Sequence, residues 1–483
     1  MLNVRSLARP DLTIVTRLLP AILALSIPTT GLFAQDTKSS AKEEVDEIIV
    51  IGAKRKFAPS DSSAATKIRM DVFDTPQSLT IVSRELMNIL GADSYGDVAS
   101  LAPNTLDNDR DLSMFFDAVA RGFHVDFRQG YKVNSVPIIN EGFVIDFDLV
   151  ERAELVRGPS SILYGQSDYG STLNLQLKKP QAQQQTIGEV TLGAHQKYKL
   201  LVDTTGALSD SERLRGRLIL AHEDTEHAQD IASRETTTVA PSLSYDIDDD
   251  TTIDVTAFHS ERTVKESWGV ALTDTFELLP VDKERYFSTD WGRSIQRTTY
   301  VQANLLHEFN EDLNLSVAGA YSDSAYDWRE PYVWGLASAS GDVDFWDYNA
   351  ERELKIWTAN TTLSGSFDAF GGKHEFMLDA FYRHNRDDNP CCYFGYLGTI
   401  NLLSHEPTGF PMPPAVGLPV NSQDEKDLGF GGLLLLHPSD RLTIMAGARW
   451  TRYENTPRGA GGWFGLTDKY ADDTVLSIRS ART

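Results

Sequence analysis

The stretch Glu151-Arg152-Ala153-Glu154-Leu155-Val156-Arg157-Gly158-Pro159-Ser160-Ser161-Ile162-Leu163-Tyr164-Gly165 decides how the chain is read. Glu151 to Val156 predicts a strand, and the Gly158-Pro159 pair breaks it. Upstream, Leu79-Thr80-Ile81-Val82 predicts a second strand. Ser83 is placed to cap a helix that runs through Glu85 to Leu90 and stops at Gly91. Phe123 to Pro137 alternates loosely as two short strands. Residues 65–180 thus read as one small α/β domain of ordinary domain size.

Composition narrows the rest. The 483 residues carry 45 Lys+Arg against 69 Asp+Glu, a net charge of −24. Nucleic acid is thereby a poor partner, because phosphate contacts need clustered Lys and Arg. With 41% hydrophobic residues, including 17 Tyr, 22 Phe and 8 Trp, the chain can bury a core and is not disordered in the main. The 2 cysteines, Cys391-Cys392, supply neither a disulfide framework nor a zinc site. Mean hydropathy is −0.29, and no run of about 18 apolar residues offers a helical span. That exclusion does not reach a membrane β-barrel, whose alternating strands average to modest hydropathy.

Residues 1–34 carry Arg5, Arg9 and Arg17 against Asp11, then an apolar run from Leu18 to Ile27, then small residues ending at Ala34. This is the layout of a secretory signal peptide, with cleavage expected after Ala34. Residues 35–64 read as a flexible arm. Within it, Glu47-Ile48-Ile49-Val50-Ile51 is a β-prone run between acids and the basic Lys54-Arg55-Lys56. Such a run cannot bury itself there, and suits capture by another protein as an added strand.

Beyond Gln181 long alternating runs take over. Leu313, Leu315, Val317, Gly319 and Tyr321 oppose Asn314, Ser316 and Ser322; Leu214, Gly216, Leu218 and Leu220 oppose Arg213, Arg215 and Arg217. Phe376, Leu378, Ala380 and Tyr382 oppose Glu375, Asp379 and Arg383, and Leu442 to Trp450 repeats the pattern. A soluble sandwich also alternates. Runs of about 10 residues exceed the usual soluble strand, and Tyr321, Tyr382 and Trp450 stand at strand ends, where a lipid-interface girdle belongs. Short turns at 209–212, 246–250, 310–312, 370–372 and 438–440 alternate with longer links at 222–234, 259–294, 324–352 and 386–426. That is the pattern of an outer-membrane barrel. About eleven strands are expected in residues 181–455, and residues 456–483 read as an irregular tail.

Several of these motifs resemble the TonB-dependent outer-membrane receptors, in the siderophore-receptor branch. Thr75 to Val82 resembles the plug opening "PQSVSVVT", Arg121-Gly122-Phe123 the "RGF" motif, and Glu151 to Gly165 the block "ERVEVLRGPASLLYG". Ser167 to Pro180 is similar to "SPGGVINLVTKRP" through Gly170, Asn174, Lys178 and Pro180. Two departures stand out: Asn134-Ser135-Val136-Pro137 replaces "VDGVP", and Ser171 replaces the second glycine of the "GG" pair.

The resemblance implies a membrane all-β antiparallel barrel with an N-terminal α/β plug domain. Plugged transporters of this type have about 22 strands, so the chain is expected to be C-terminally truncated or frame-shifted. It implies that Glu47, Ile48, Ile49, Val50 and Ile51 form the TonB box, paired with the periplasmic TonB protein. Arg121 and Arg157, with Gly122, Phe123, Gly158 and Pro159 around them, would hold the plug against barrel glutamates. His124, Asp126, Arg128, Asn140 and Phe143 would face outward toward ligand. The implied function is active import of a ferric siderophore across the cell outer membrane, with membrane lipid and TonB as partners and no cofactor of its own. Alternatives are a receptor for an oligosaccharide or cobalamin, and a non-transporting remnant. Loop aromatics Trp328, Tyr332, Trp334, Phe345, Trp346, Tyr348, Tyr393, Phe394 and Tyr396 suit either a siderophore or a sugar. A sensor with an extra signalling domain is the weaker rival, since the arm ahead of the box is too short for a folded domain.

No catalytic or metal-binding pattern emerges. His222 and His227 miss the H-E-x-x-H spacing, Gly459-Ala460-Gly461-Gly462 lacks the last glycine of a dinucleotide fingerprint, and Asp387-Asp388 and Asp248-Asp249-Asp250 read as solvated loop or turn acids. An enzyme is not expected.

Overall fold

The computed structural model describes residues 61–107, 118–158, 161–164, 170–266, 271–389, 393–408, 410–414, 421–439, 442–458 and 469–482. The signal peptide, the TonB box and Pro159 lie outside them.

The first domain is built on a five-stranded sheet, in the order Ser78–Ser83, Val150–Arg157, Ser171–Leu177, Tyr131–Val133, Val136–Ile138. Only the Ser171–Leu177 and Tyr131–Val133 pair is parallel. Ser83 caps the helix Arg84–Leu90 by accepting from the Leu86 amide, and Gly91 ends it at φ 66°. The two central strands are buried along nearly their whole length, as strands are when both faces are covered.

Twelve further strands form one antiparallel meander in chain order, from Gln185–Leu192 to Lys469–Arg482, with Tyr393–Asn401 branching off Asp342–Ala369. The two end strands of this path are not paired with each other among the described residues. Expectation differs from structure in two places. Residues 456–458 and 469–482 are strand and not irregular tail: Leu442–Arg458 pairs with Lys469–Arg482, which also takes the path past eleven strands. The long links are also shorter than expected, because Leu313–Trp334 and Asp342–Ala369 stay paired far past the apolar zone. A membrane-spanning strand needs only about 10 residues. Beyond the membrane the outer face no longer meets lipid, so the apolar alternation fades while the backbone ladder continues.

Which face is apolar separates barrel from sandwich. Ser242, Ser260, Thr298, Gln302, Ser322 and Ser324 are buried on the side toward the plug, whereas Leu218, Val239, Leu243, Val301, Val317 and Leu378 are exposed on the other. A soluble sheet would do the reverse. Two aromatic belts mark the outer face. Tyr321 meets Trp357 at 5.4 Å and Phe430 stacks on Trp450 at 6.0 Å, while Phe309, Phe367 and Phe376 lie toward the short turns. Trp357 and Phe367 stand on one strand, separated by the length of one membrane crossing. Among the described residues no helix is long and apolar enough to cross a membrane.

Candidate functional site

The plug meets the wall through polar side chains that both surfaces aim inward. Asn134 donates to Gln302 at 3.3 Å and the Val144 amide to Thr298 at 2.8 Å. The wall lysines Lys197 and Lys199 reach Asp93 and Asp148 of the plug, each at 2.7 Å. Phe143 packs edge-on against Phe258 and Tyr300 of the wall.

Arg121 and Gly122, at φ 54° and 86°, make the tight turn between Ala118–Ala120 and Phe123–His124. Two successive left-handed residues define a hairpin turn that suits glycine in the second place. Gly170 passes so close that an added Cβ would lie 2.9 Å from the Phe123 Cβ. The replaced glycines are resolved as well. Ser171 opens an ordinary strand, so that position needs no glycine. Asn134 and Ser135 form a left-handed turn at φ 46° and 67°, held by Asn134 Oδ1 accepting from the Leu177 amide and Asn174 Oδ1 from the Ser135 amide, both at 2.8 Å.

Arg157 departs from expectation. Its guanidinium donates to Ser78 Oγ and to the Pro103 carbonyl at 2.8 Å. Among the described residues it braces the plug internally and meets no barrel glutamate, with strand Ser78–Ser83 paired alongside it. Arg121 is exposed at its turn. Arg128, expected as a ligand contact, is one of the plug residues that hold barrel acids: it donates to Glu425 at 2.9 Å and Asp387 at 3.3 Å. Of the other outward candidates, His124 and Asp126 are exposed, and the Asp126 carboxylate fixes its own turn by accepting from the Arg128 amide at 2.6 Å. Asn140 and Phe143 are 3% and 5% exposed. Both are buried instead of facing outward, Phe143 in plug–wall packing.

Asp387 is no solvated loop acid either. It accepts Arg352 Nε at 2.7 Å, and Arg352 also pairs with Glu141 of the plug. Deeper in, Asp379 takes both Lys67 of the plug and Arg449 of the wall. Sequence reasoning missed these latches as a group. Its one signal was the polar face of the Gly372–Asn389 strand, where Asp379, Arg383 and Asp387 recur at even spacing.

Above the plug the inner face of the wall becomes aromatic. Ser322, Ser324, Tyr326, Trp328, Tyr332 and Trp334 alternate along one face of Leu313–Trp334, and Tyr326 packs against Gly142 of the plug. Trp328 meets Tyr348 at 4.6 Å, Tyr348 meets Phe394 at 5.2 Å, and Trp346 meets Tyr396 at 5.3 Å. Eight rings from three strands therefore form a platform continuous with the lumen. Phe345 and Tyr393 are the exceptions among the expected loop aromatics: both lie on the opposite face, and Phe345 is fully buried against His405 and Phe410. Trp334 is 58% exposed and Tyr396 is 55% exposed, which leaves aromatic surface free for a bulky ligand.

An α/β plug seated on the polar inner face of a lipid-facing meander is the architecture of a plugged outer-membrane β-barrel. Residues 71–172 match the family model TonB-dependent Receptor Plug Domain, and residues 231–477 match the model TonB dependent receptor-like, beta-barrel. The chain belongs to the TonB-dependent receptor family. It is 25% identical over 331 residues to the ferric-pyoverdine receptor PbuA of a Pseudomonas species, covering 65% of this chain and 39% of that one. It is 28% identical over 384 residues to the metal-pseudopaline receptor CntO of Pseudomonas aeruginosa, covering 76% and 52%. The crystal structure of the ferripyoverdine receptor of the P. aeruginosa outer membrane, bound to ferripyoverdine, superposes with a TM-score of 0.78 at 21% identity, covering 89% of this chain and 58% of that one. The chain spans about half the length of the curated relatives it matches, or less.

Proposed function

We propose that this chain belongs to an importer that takes up a ferric siderophore through the outer membrane. The observation that carries the reading is the aromatic platform on the lumen side of the wall, directly above a plug latched by Arg128 and Lys67. Planar chelating groups and their iron complex stack on such rings. The names of the relatives, receptors for ferric pyoverdine and metal-pseudopaline, support the same ligand class. In this reading Glu47 to Ile51 is offered to the periplasmic transducer as an added strand, and the pull on it loosens the latches that close the lumen.

Growth on single defined siderophores under iron limitation, with and without the gene, tests the reading. A siderophore-specific defect that Ile49→Pro reproduces supports it, because proline removes a ladder hydrogen bond from the captured strand. No difference on any siderophore, with a defect on an oligosaccharide or cobalamin, rejects it. Heat-modifiable migration of the membrane fraction separates a folded barrel from a non-transporting remnant.

A further inference from the structure

Gly292 leaves a gap on the inner face of the wall, and two carboxylates meet over it. Val264 pairs with Ser294, and Ser294 with Trp328. Carried two residues further out, that register sets Glu266 and Glu330 on either side of Gly292, on one face. Glu330 leans into the gap: a Cβ at Gly292 would lie 3.4 Å from Glu330 Cγ and 3.0 Å from Ser288 Oγ.

Residues 271–292 close over the pair. Tyr286 packs on Ala232 and Val264, Ser288 Oγ donates to the Pro331 carbonyl at 2.8 Å, and His405 Nε2 donates to the Ser288 carbonyl at 2.9 Å. Beneath them Glu266 is 4% exposed and Glu330 1% exposed. Glu330 Oε2 accepts from the Trp328 indole at 3.1 Å, and its Oε1 has no donor.

Among the described residues no cation pairs with Glu330; the groups that act on it most strongly are Glu266, Trp328 and Ser288. The acids Glu330, Glu266 and Asp290 act on the Tyr286 hydroxyl. Lys265, Arg293 and Arg329 alternate onto the other face. Lys265 donates to the Asp290 carbonyl at 3.3 Å, and Arg329 lies over Trp291 and pairs with Asp347 at 3.5 Å. Arg285 donates to the His405 carbonyl at 2.9 Å. On the inner face, Arg234 is held by Glu223 at 2.8 Å and Arg262 donates to Thr236 at 3.3 Å. Residues 267–270, Ser-Trp-Gly-Val, bring no charge.

Two carboxylates buried together without a counter-charge do not both stay ionised. Burial, then repulsion from Glu266, holds the Glu330 carboxyl well above the ordinary glutamate range, with the hydrogen bonds from Trp328 and Ser288 opposing. Burial holds the His405 ring below the ordinary histidine value, so it supplies no positive charge at neutral pH.

We infer that the Glu266–Glu330 pair carries one charge and one proton while residues 271–292 are seated, and that losing this proton unseats them. Trp328 is tied to the same carboxyl, so the aromatic platform is coupled to that proton, whichever ligand the platform takes. The seated state binds the proton more tightly than the open state, in which Glu330 is hydrated and ordinary. Seating is therefore strongest in acid and weakens as pH rises from the ordinary glutamate range to the seated value.

Hydrogen exchange of residues 271–292 in the full chain in detergent, corrected for the intrinsic pH dependence of exchange, tests this from about pH 5 to about pH 9. Wild-type protection should fall with rising pH, approaching about tenfold per unit for one proton released on opening. Glu330→Gln should flatten that slope, and the comparison cancels any contribution of His405 or Tyr286. Glu266→Gln removes the repulsion and should end the fall at lower pH. Flat protection in the wild type, or a wild-type slope in Glu330→Gln, overturns the proposal. Protection that follows added calcium and EDTA instead of pH also overturns it, because a metal ion would then neutralise the pair. Should Glu330→Gln fail to fold, the position of the fall in Glu266→Gln decides the matter.

Discussion

Lys67 of the plug donates to Asp379 of the wall across 2.5 Å, and both side chains are buried. Asp379 also holds Arg449, so the two ends of this latch are unequal. Asp379→Asn strands two buried cations and should destabilise the plug–wall contact by about 3–5 kcal/mol. Lys67→Met leaves Asp379 paired with Arg449 and should cost less than about 2 kcal/mol. Hydrogen exchange of the plug amides, compared between the two variants, measures the order. Equal protection in both would show that Asp379 does not act as the shared anchor.

The plug and the barrel's lipid-facing side were legible in the sequence, and the site was only half so. Leu313 to Tyr321 declares its apolar face because lipid demands unbroken alternation. The Glu151 to Gly165 block carries a strand, a break and a short helix in fixed order. The latches were hidden for a physical reason. An inward Asp379 and a solvated acid look alike in sequence, and only the packed plug says which of them finds a cation. On that account Arg128 holds the wall acids expected of Arg157, and Arg157 braces the plug from within. The strand extensions past Trp357 were hidden too, since without lipid on the outer face the apolar alternation lapses and residues such as Glu351 read as loop.

The aromatic platform separates binding from stability. Trp334 is 58% exposed, so Trp334→Ala should leave the melting temperature almost unchanged, as surface substitutions do, within about 0.5 kcal/mol. It should weaken ferric-siderophore binding by roughly tenfold or more, the cost of an aromatic hot spot. Trp328 is 4% exposed and donates to Glu330 at 3.1 Å. Trp328→Ala should destabilise the extension by about 3–5 kcal/mol. Tryptophan fluorescence quenching by the ferric complex, run beside thermal unfolding, reads both quantities. A stable Trp334→Ala protein with unaltered affinity would remove the platform from the binding surface.

The two serines that stand where glycines are expected should respond in opposite directions. Ser135 sits at φ 67°, and Ser135→Gly relieves a left-handed residue, a gain of up to about 1 kcal/mol. Ser171 is fully buried in a strand, where Ser171→Gly adds chain entropy and should cost about 0.5–1 kcal/mol. Chemical denaturation followed at the plug tryptophan-free signals, such as far-ultraviolet dichroism, gives both signs. Like signs for the pair would contradict the backbone assignment of a left-handed turn at Ser135 and a strand at Ser171.

Asp146 gives the plug a pH dependence with a definite sign. It caps the short helical turn Phe147–Leu149 by accepting from the Asp148 amide at 2.9 Å. Burial, then repulsion from Asp148, lifts its carboxyl from 3.8 to about 6, with Lys199 opposing. Because the folded-state value lies above the unfolded one, the folded plug binds the proton more tightly between them. The stability contributed by this group therefore falls as pH rises through the window from about 4 to 6 and is lowest above it. Asp146→Asn keeps the cap, since asparagine serves as well at that position, and removes the charge. The variant should be more stable than the wild type at pH 7.5, by a margin that closes on acidification through pH 6 to 4. Unfolding midpoints of the two proteins across that range measure the margin, and a constant difference would show that Asp146 does not titrate there.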